Sequence, residues 1–213
     1  CNLDCRGCLQ KEVMGTTLIK NQSAVIRMLG DADAQGIKEY AFCIGEPFAY
    51  RDFFMRMLSS VCALQNSRVV SFVTNGARAQ DGAGAAETLE MLKEIRALCV
   101  EGGVDLHITI SWDKMHKEAG AKVSWIVNLL EAIYTVFGPI SLHMQRLFSY
   151  NDDTLSELIA ELKTRGLLGD NDARDAEGLR NSIMVLHNGL TLKFIGQKAI
   201  AAGGGHTVAL KND

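Results

Sequence analysis

Cys1, Cys5 and Cys8 stand in the segment CNLDCRGC with the spacing CxxxCxxC. Three thiolates on so short a loop can ligate three irons of a cubane cluster and leave the fourth iron open to an exchangeable ligand, the arrangement required when a cluster acts on a substrate. Structural zinc normally takes four protein ligands. No His or Cys occurs between Cys8 and Cys43, so a fourth zinc ligand would have to come from a distant part of the chain. A zinc knuckle and three incidental thiols are the competing readings. Six cysteines in 213 residues are too few for a disulfide framework, and three of them fall within the first eight residues, where bridges would be awkward to close. Metal or cluster chemistry in a reducing compartment is expected instead.

Further groups with chemical potential follow at intervals. Gly45-Glu46-Pro47 combines a residue that permits close backbone approach, a carboxylate able to accept from an ammonium group, and a residue that fixes the turn; an ordinary turn is the alternative. Thr74 and Asn75 precede Gly76, where simple Asn-Gly turn chemistry competes with a binding role. Ser111 is followed by Asp113 and His116 in the pattern DxxH, which also suits a helix N-cap and a surface histidine. Cys43 shares parity with Ala41 and Gly45, whereas Cys62 and Cys99 lie at helical positions suited to a core.

The elements that must position these residues are legible from periodicity. Asn21 to Gln35 carries Val25, Ile26, Met28 and Leu29 at helical spacing. Ile37 to Ile44 reads as a buried strand, Arg51 to Leu64 as a helix, Arg68 to Val73 as a strand, and Ala86 to Leu98 as a helix after the Gly-rich linker at Gly82 to Gly84. Val104 to Trp112 alternates strictly, Val123 to Phe137 returns to helical period, Ile140 to Phe148 is a strand, and Asp152 to Arg165 is a helix with Asn151 or Asp152 as N-cap and Gly166 as its stop. Ser182 to His187 and Leu190 to Ile195 flank Asn188-Gly189, a hairpin signal.

Strands separated by helices imply right-handed crossovers and a parallel sheet, so the class is α/β. A central strand of a doubly wound sheet should be apolar on both faces. Val104 to Trp112 is not: Leu106, Ile108 and Ile110 would face helices while His107, Thr109 and Ser111 look inward. The same parity groups Ser141, His143 and Gln145 and puts Arg146 opposite, so His143 or Gln145 could reach a substrate, or make a merely structural hydrogen bond. A barrel or partial barrel around a reaction chamber is expected.

The chain is 47% hydrophobic and 22% charged with a mean hydropathy of +0.05, which excludes disordered, collagenous and solenoid classes. A formal net charge of -3 offers no basic surface for nucleic acid or anionic membrane. Its longest apolar stretch, Val123 to Leu142, is broken by Asn128, Glu131 and Gly138-Pro139 and cannot span a bilayer. One domain over residues 1–213 and a cytoplasmic location are the expectations.

CxxxCxxC at the head of a βα-repeat chain, followed by GEP after the next strand, TNG after the third and SWD after the fourth, resembles the radical S-adenosylmethionine (radical SAM) enzyme family. The likeness runs from Cys1 to about Lys163 through AFCIGEPFAYRDF, SFVTNGA, ITISWDKMH and YNDDTLSELIAELK, making 1–166 the motif-bearing part and 167–213 the less characteristic one. What the resemblance implies is a partial (β/α)6 TIM-like barrel of parallel strands with a 4Fe-4S cluster held by Cys1, Cys5 and Cys8. SAM would chelate the unique iron and be cleaved by one electron to a 5'-deoxyadenosyl radical that abstracts hydrogen. It also implies that Gly45, Glu46 and Pro47 hold the SAM amino group, with Thr74, Asn75 and Ser111 completing the cofactor site. An electron donor such as flavodoxin or ferredoxin would be the partner. The strand and loop pattern looks closest to members that modify peptides or proteins, with glycyl-radical activating enzymes as another possibility.

Three departures stand out. Gly7 occupies a position where the family usually has an aromatic beside the adenine, Ile44 replaces the first Gly of GGEP, and the strand that normally precedes the cysteine loop is absent. The expectation is therefore a barrel lacking its first strand, with Ile37 to Ile44 left as a sheet edge. The rival function is a non-catalytic zinc or iron-sulfur binding module.

Overall fold

A computed structural model describes residues 3–5, 20–43, 45–80, 82–148, 153–169, 183–201 and 208–211. Helix α1 (Gln22–Ala34) leads to β1 (Glu39–Phe42), a 3₁₀ turn (Pro47–Tyr50) and α2 (Arg51–Cys62). Then come β2 (Val69–Thr74), α3 (Ala83–Gly102), β3 (Asp105–Ser111), the short α4 (Lys114–Glu118) and α5 (Val123–Phe137). The chain continues through β4 (Ser141–Phe148), α6 (Thr154–Thr164), β5 (Ile183–Val185), β6 (Thr191–Ala201) and β7 (Val208–Lys211).

All seven strands join one sheet in the order β1-β2-β3-β4-β6-β5, with β7 also on β6. The pairs β1/β2, β2/β3, β3/β4 and β4/β6 are parallel; β5/β6 and β6/β7 are antiparallel. The expected hairpin is present, with Leu186 N–H donating to the Leu190 carbonyl around Asn188-Gly189. Among the described residues β1 forms one edge of the sheet. The class is thus α/β with a mostly parallel sheet. No helix of the described residues is long and apolar enough to cross a membrane.

Strand parity explains the packing. Val70 and Phe72 of β2, Ile108 and Ile110 of β3, Leu142 and Met144 of β4, and Leu192 and Phe194 of β6 are buried on one face. Helices supply the matching stripes: Phe54, Met57, Leu58, Val61 and Cys62 of α2, Met91, Leu92, Ile95 and Cys99 of α3, and Leu155, Leu158 and Leu162 of α6 recur at three- and four-residue spacing. Burying each such side chain contributes about 1.5–3 kcal/mol. Edge-to-face rings tie the first units together, Phe42 to Phe54 at 5.3 Å, Phe54 to Phe72 at 5.5 Å and Phe48 to Phe72 at 5.9 Å. Successive helices α2, α3, α5 and α6 pack against one another, as expected when right-handed crossovers feed a strand order that does not reverse from β1 to β4.

Several boundaries shift from expectation. Helix α3 is longer at both ends than Ala86 to Leu98. The N-cap of α6 is Asp153, not Asn151 or Asp152, which lie outside the described residues; the Asp153 side chain instead reaches Lys117 at 3.0 Å. Helix α1 buries none of its residues, and Met28 is 59% exposed. Leu29 and Ala32 pack partly buried against the core, and polar contacts add to this: Asp33 accepts from Gln65 N–H (3.2 Å) and Asn66 N–H (2.8 Å), while Asn66 Nδ2 donates to the Asp33 carbonyl (3.0 Å).

Candidate functional site

Parallel strands raise their C-terminal ends at one edge of the sheet, and the loops that follow carry the candidate residues. After β1, Gly45 adopts φ +75°, a left-handed conformation that only glycine takes at little cost, and delivers Glu46 to the start of the 3₁₀ turn. Pro47 sits at the first position of that turn, where its missing N–H costs nothing. Glu46 is 1% exposed. Its Oε1 accepts from Phe48 N–H (3.2 Å) and Thr74 Oγ1–H (2.8 Å), and its Oε2 accepts from Asn75 N–H (2.7 Å). The carboxylate therefore bridges the loops after β1 and β2. Of about four acceptor positions on a carboxylate, three are taken by described residues.

Two opposing influences set the Glu46 ionisation. Burial raises its pKa, while the bonds from Asn75, Thr74 and Phe48 favour the anion and lower it; burial prevails, and the group sits above its ordinary value. All three donors suit the carboxylate form, so a cation brought beside it would add to them.

Thr74 ends β2 on the same parity as Phe72, pointing to the helix side, where it holds Glu46; it also accepts from Gly76 N–H at 3.2 Å. Asn75 Oδ1 accepts from Ala77 N–H at 2.9 Å, closing an Asx turn, so turn chemistry and convergence on Glu46 occur together. Gly76 is demanded by its φ of +69°, a left-handed conformation that side-chain-bearing residues adopt only with strain.

Ser111 ends β3 on the opposite parity and is buried to 9% exposure. Since Thr74 pairs with Ile110, extending the register by one residue sets Asn75 beside Ser111, one strand spacing of about 4.8 Å away; on its other side Ser111 pairs with Gln145. Gly45, Glu46, Pro47, Thr74, Asn75 and Ser111 thus share the C-terminal edge of three adjacent strands. The next residue, Trp112, is fully buried, and its Nε1 donates to the Thr154 carbonyl at 2.9 Å, tying the end of β3 to α6. Asp113 is the N-cap of α4, accepting from Met115 N–H (3.0 Å) and His116 N–H (3.1 Å), with His116 Nδ1 at 2.8 Å.

Of the three cysteines expected as cluster ligands, Cys5 is described: together with Leu3 it is buried and belongs to the hydrophobic core. Cys1 and Cys8 lie outside the described residues. Among the described residues no three metal-ligating side chains cluster. Cys43 is exposed, while Cys62 and Cys99 are buried, as their helical positions suggest.

The second face of the sheet carries the polar parity. Val73, Thr109, His143 and Lys193 form one cross-strand row, and His107 sits two residues below Thr109, its ring 6.4 Å from that of His143. Burial, then Lys193, then His107 hold the His143 pKa below its ordinary value. Lys193 joins this row by register with His143, and the alternation of Leu190, Leu192 and Phe194 against Thr191, Lys193 and Ile195 carries the signal for its side of the sheet.

No family model matches the sequence, and no curated protein is significantly similar to it.

Proposed function

We propose that the chain is a radical SAM enzyme on a partial barrel. The observation that carries this reading is the buried Glu46 carboxylate, fastened between the loops after β1 and β2 at the edge where β3 ends in Ser111, and filling three of its acceptor positions from the described residues. The donor set fits the groups: a short run of three thiolates suits three irons of one cubane, and a buried anion suits an ammonium. When bound, the cluster and SAM would supply one-electron radical chemistry able to abstract hydrogen from the substrate.

The chain's own residues do the positioning. Cys1, Cys5 and Cys8 would hold the cluster. Glu46 would accept from the SAM amino group, and doing so would stabilise its own charged form. Gly45 keeps the backbone close, Thr74 and Asn75 N–H fix the carboxylate in one orientation, and Ser111 offers a hydroxyl one strand away. The unreversed strand order and the polar second face support the partial barrel, with that face as the chamber. A peptide or protein remains the proposed substrate, and a flavodoxin or ferredoxin the electron donor.

The test is anaerobic reconstitution. Broad visible absorption lost in Cys5→Ala, together with cleavage of SAM to 5'-deoxyadenosine, is expected. Glu46→Ala should weaken SAM binding and leave the cluster spectrum intact. Stoichiometric tetrahedral zinc in anaerobically isolated protein, with no cluster after reconstitution, would favour the non-catalytic zinc module and refute the proposal.

A further inference from the structure

We infer that the second face of the sheet holds an oxyanion, a carboxylate or phosphate group of the substrate, against Lys193, His143 and His107. Calling the ligand a substrate rests on the radical SAM reading; the anion site itself stands on the sheet geometry alone.

Register fixes the cluster. His143 on β4 pairs with Thr109 on β3 and with Lys193 on β6, so the histidine is flanked by a hydroxyl and an ammonium at one strand spacing each. His107 approaches from the diagonal, with ring centroids 6.4 Å apart and planes at 68°. Three groups able to carry positive charge thus share one patch. The acidic residues of that parity, Glu39 and Asp105, both pair with Val69 on the row nearest the strands' N-terminal ends, two residues below His107. Serine and threonine fill the intervening places: Ser71 pairs with His107, and Ser141 pairs with Thr191. The face is therefore graded, with acid at its foot, cations and hydroxyls in its middle, and Ser111 and Gln145 at the edge that carries Glu46.

His143 is half-buried between exposed His107 and Lys193, and its burial together with the like charges beside it disfavours protonated His143. An anion seated among the three removes that penalty and accepts from Lys193 Nζ, an imidazolium N–H and the Thr109 hydroxyl. Its position two residues below the strand ends would hold one end of a substrate in the chamber and leave the other toward the cofactor edge.

The experiment is an NMR titration of the histidine side chains in the full chain, without cluster or SAM. Sodium sulfate stands in for a phosphate ester and sodium acetate for a carboxylate, each compared with sodium chloride at equal ionic strength. The His143 pKa should rise by about half a unit or more, equivalent to about threefold tighter anion binding by the protonated form, while His116 and His187 stay fixed. Response to sulfate alone would assign a phosphate ester, and response to acetate a carboxylate. Lys193→Gln should raise the His143 pKa in chloride and remove most of the anion response. An unmoved His143 at tens of millimolar of both anions, an equal shift at His187, or a response unchanged in Lys193→Gln would each overturn the inference. None of these results depends on iron or SAM, so failure here leaves the radical SAM reading untouched, and failure of that reading leaves the anion site standing.

Discussion

Replacing Glu46 by Gln keeps the side chain's shape and removes its charge, which makes it a direct test of the bridge between the first two loops. Gln can still accept from Phe48 N–H and Thr74 Oγ1–H through its carbonyl oxygen. Its amide nitrogen would face Asn75 N–H, now 2.7 Å from Oε2, so two donors would oppose each other in a buried place. Leaving that N–H unsatisfied costs about 1–3 kcal/mol. A protonated Glu46 escapes this cost because its hydroxyl oxygen can still accept. The sign with pH follows from the raised folded-state pKa of Glu46 relative to its ordinary 4.5. Between those two values the native state holds a proton that the unfolded chain has released, so the stability contributed by Glu46 is full below about pH 4.5 and is lost as pH rises through the folded value. Each unit of elevation is worth about 1.4 kcal/mol, which also caps the slope per pH unit. Denaturant unfolding of wild type and Glu46→Gln at a series of pH values from acid to neutral would read the difference directly. The wild-type advantage should be largest at the acid end and shrink as pH rises. A difference that is flat, or that grows with pH, would mean that the three donors outweigh burial and that the carboxylate is not held above its ordinary range.

Two further outcomes test the frame around the site. Gly102→Ala would set a Cβ 2.6 Å from the Cys62 carbonyl oxygen and 2.9 Å from Cys62 Cβ, forcing α3 away from α2; a loss of about 1–3 kcal/mol and several degrees in Tm is expected, and wild-type thermal stability would refute the close approach. Trp112→Phe removes the donor to the Thr154 carbonyl and leaves a small void, so the urea midpoint should fall by the equivalent of about 1–3 kcal/mol; no change would mean that the bond between the end of β3 and α6 does not form in solution.

Periodicity located the helices and strands because each amphipathic stripe has one buried face to match, and α5 agrees with its expected span, Val123 to Phe137, at both ends. The helical stripe of α1 was equally legible but did not imply full burial: Ile26 and Met28 are exposed, Leu29 packs only partly against the core, and Asp33 adds contacts with a loop 32 and 33 residues away. Such long-range polar pairing leaves no periodic trace. Thr74 shows a second limit. Its type and place beside Asn75 suggested a ligand-facing hydroxyl, yet strand parity directs it to the helix side, where it donates to Glu46. The two residues are 28 apart in sequence, and only the β1/β2 register brings them together.

That register also accounts for why separate short motifs form one site. In a parallel sheet every strand ends at the same edge, and an unreversed strand order keeps consecutive ends adjacent, so the turns after β1, β2 and β3 must meet whatever their individual sequences. What the local sequence decides is the reach of each turn. Left-handed Gly45 sets Glu46 back beneath the loop after β2, while the extended end of β3 leaves Ser111 on the opposite parity, facing away from the helices. A carboxylate locked on one side of the edge and hydroxyl and amide groups aligned on the other create a boundary between a rigid, buried anchor and a partly open polar face. The same strands that fix the anchor carry His107, Thr109 and His143 down that face, so a ligand bridging the two would be gripped by a single register. A shift of one residue in β3 would reverse both parities at once, burying His107 and Thr109 against the helices and turning Ile108 and Ile110 outward. The site and the core therefore depend on the same hydrogen-bond ladder.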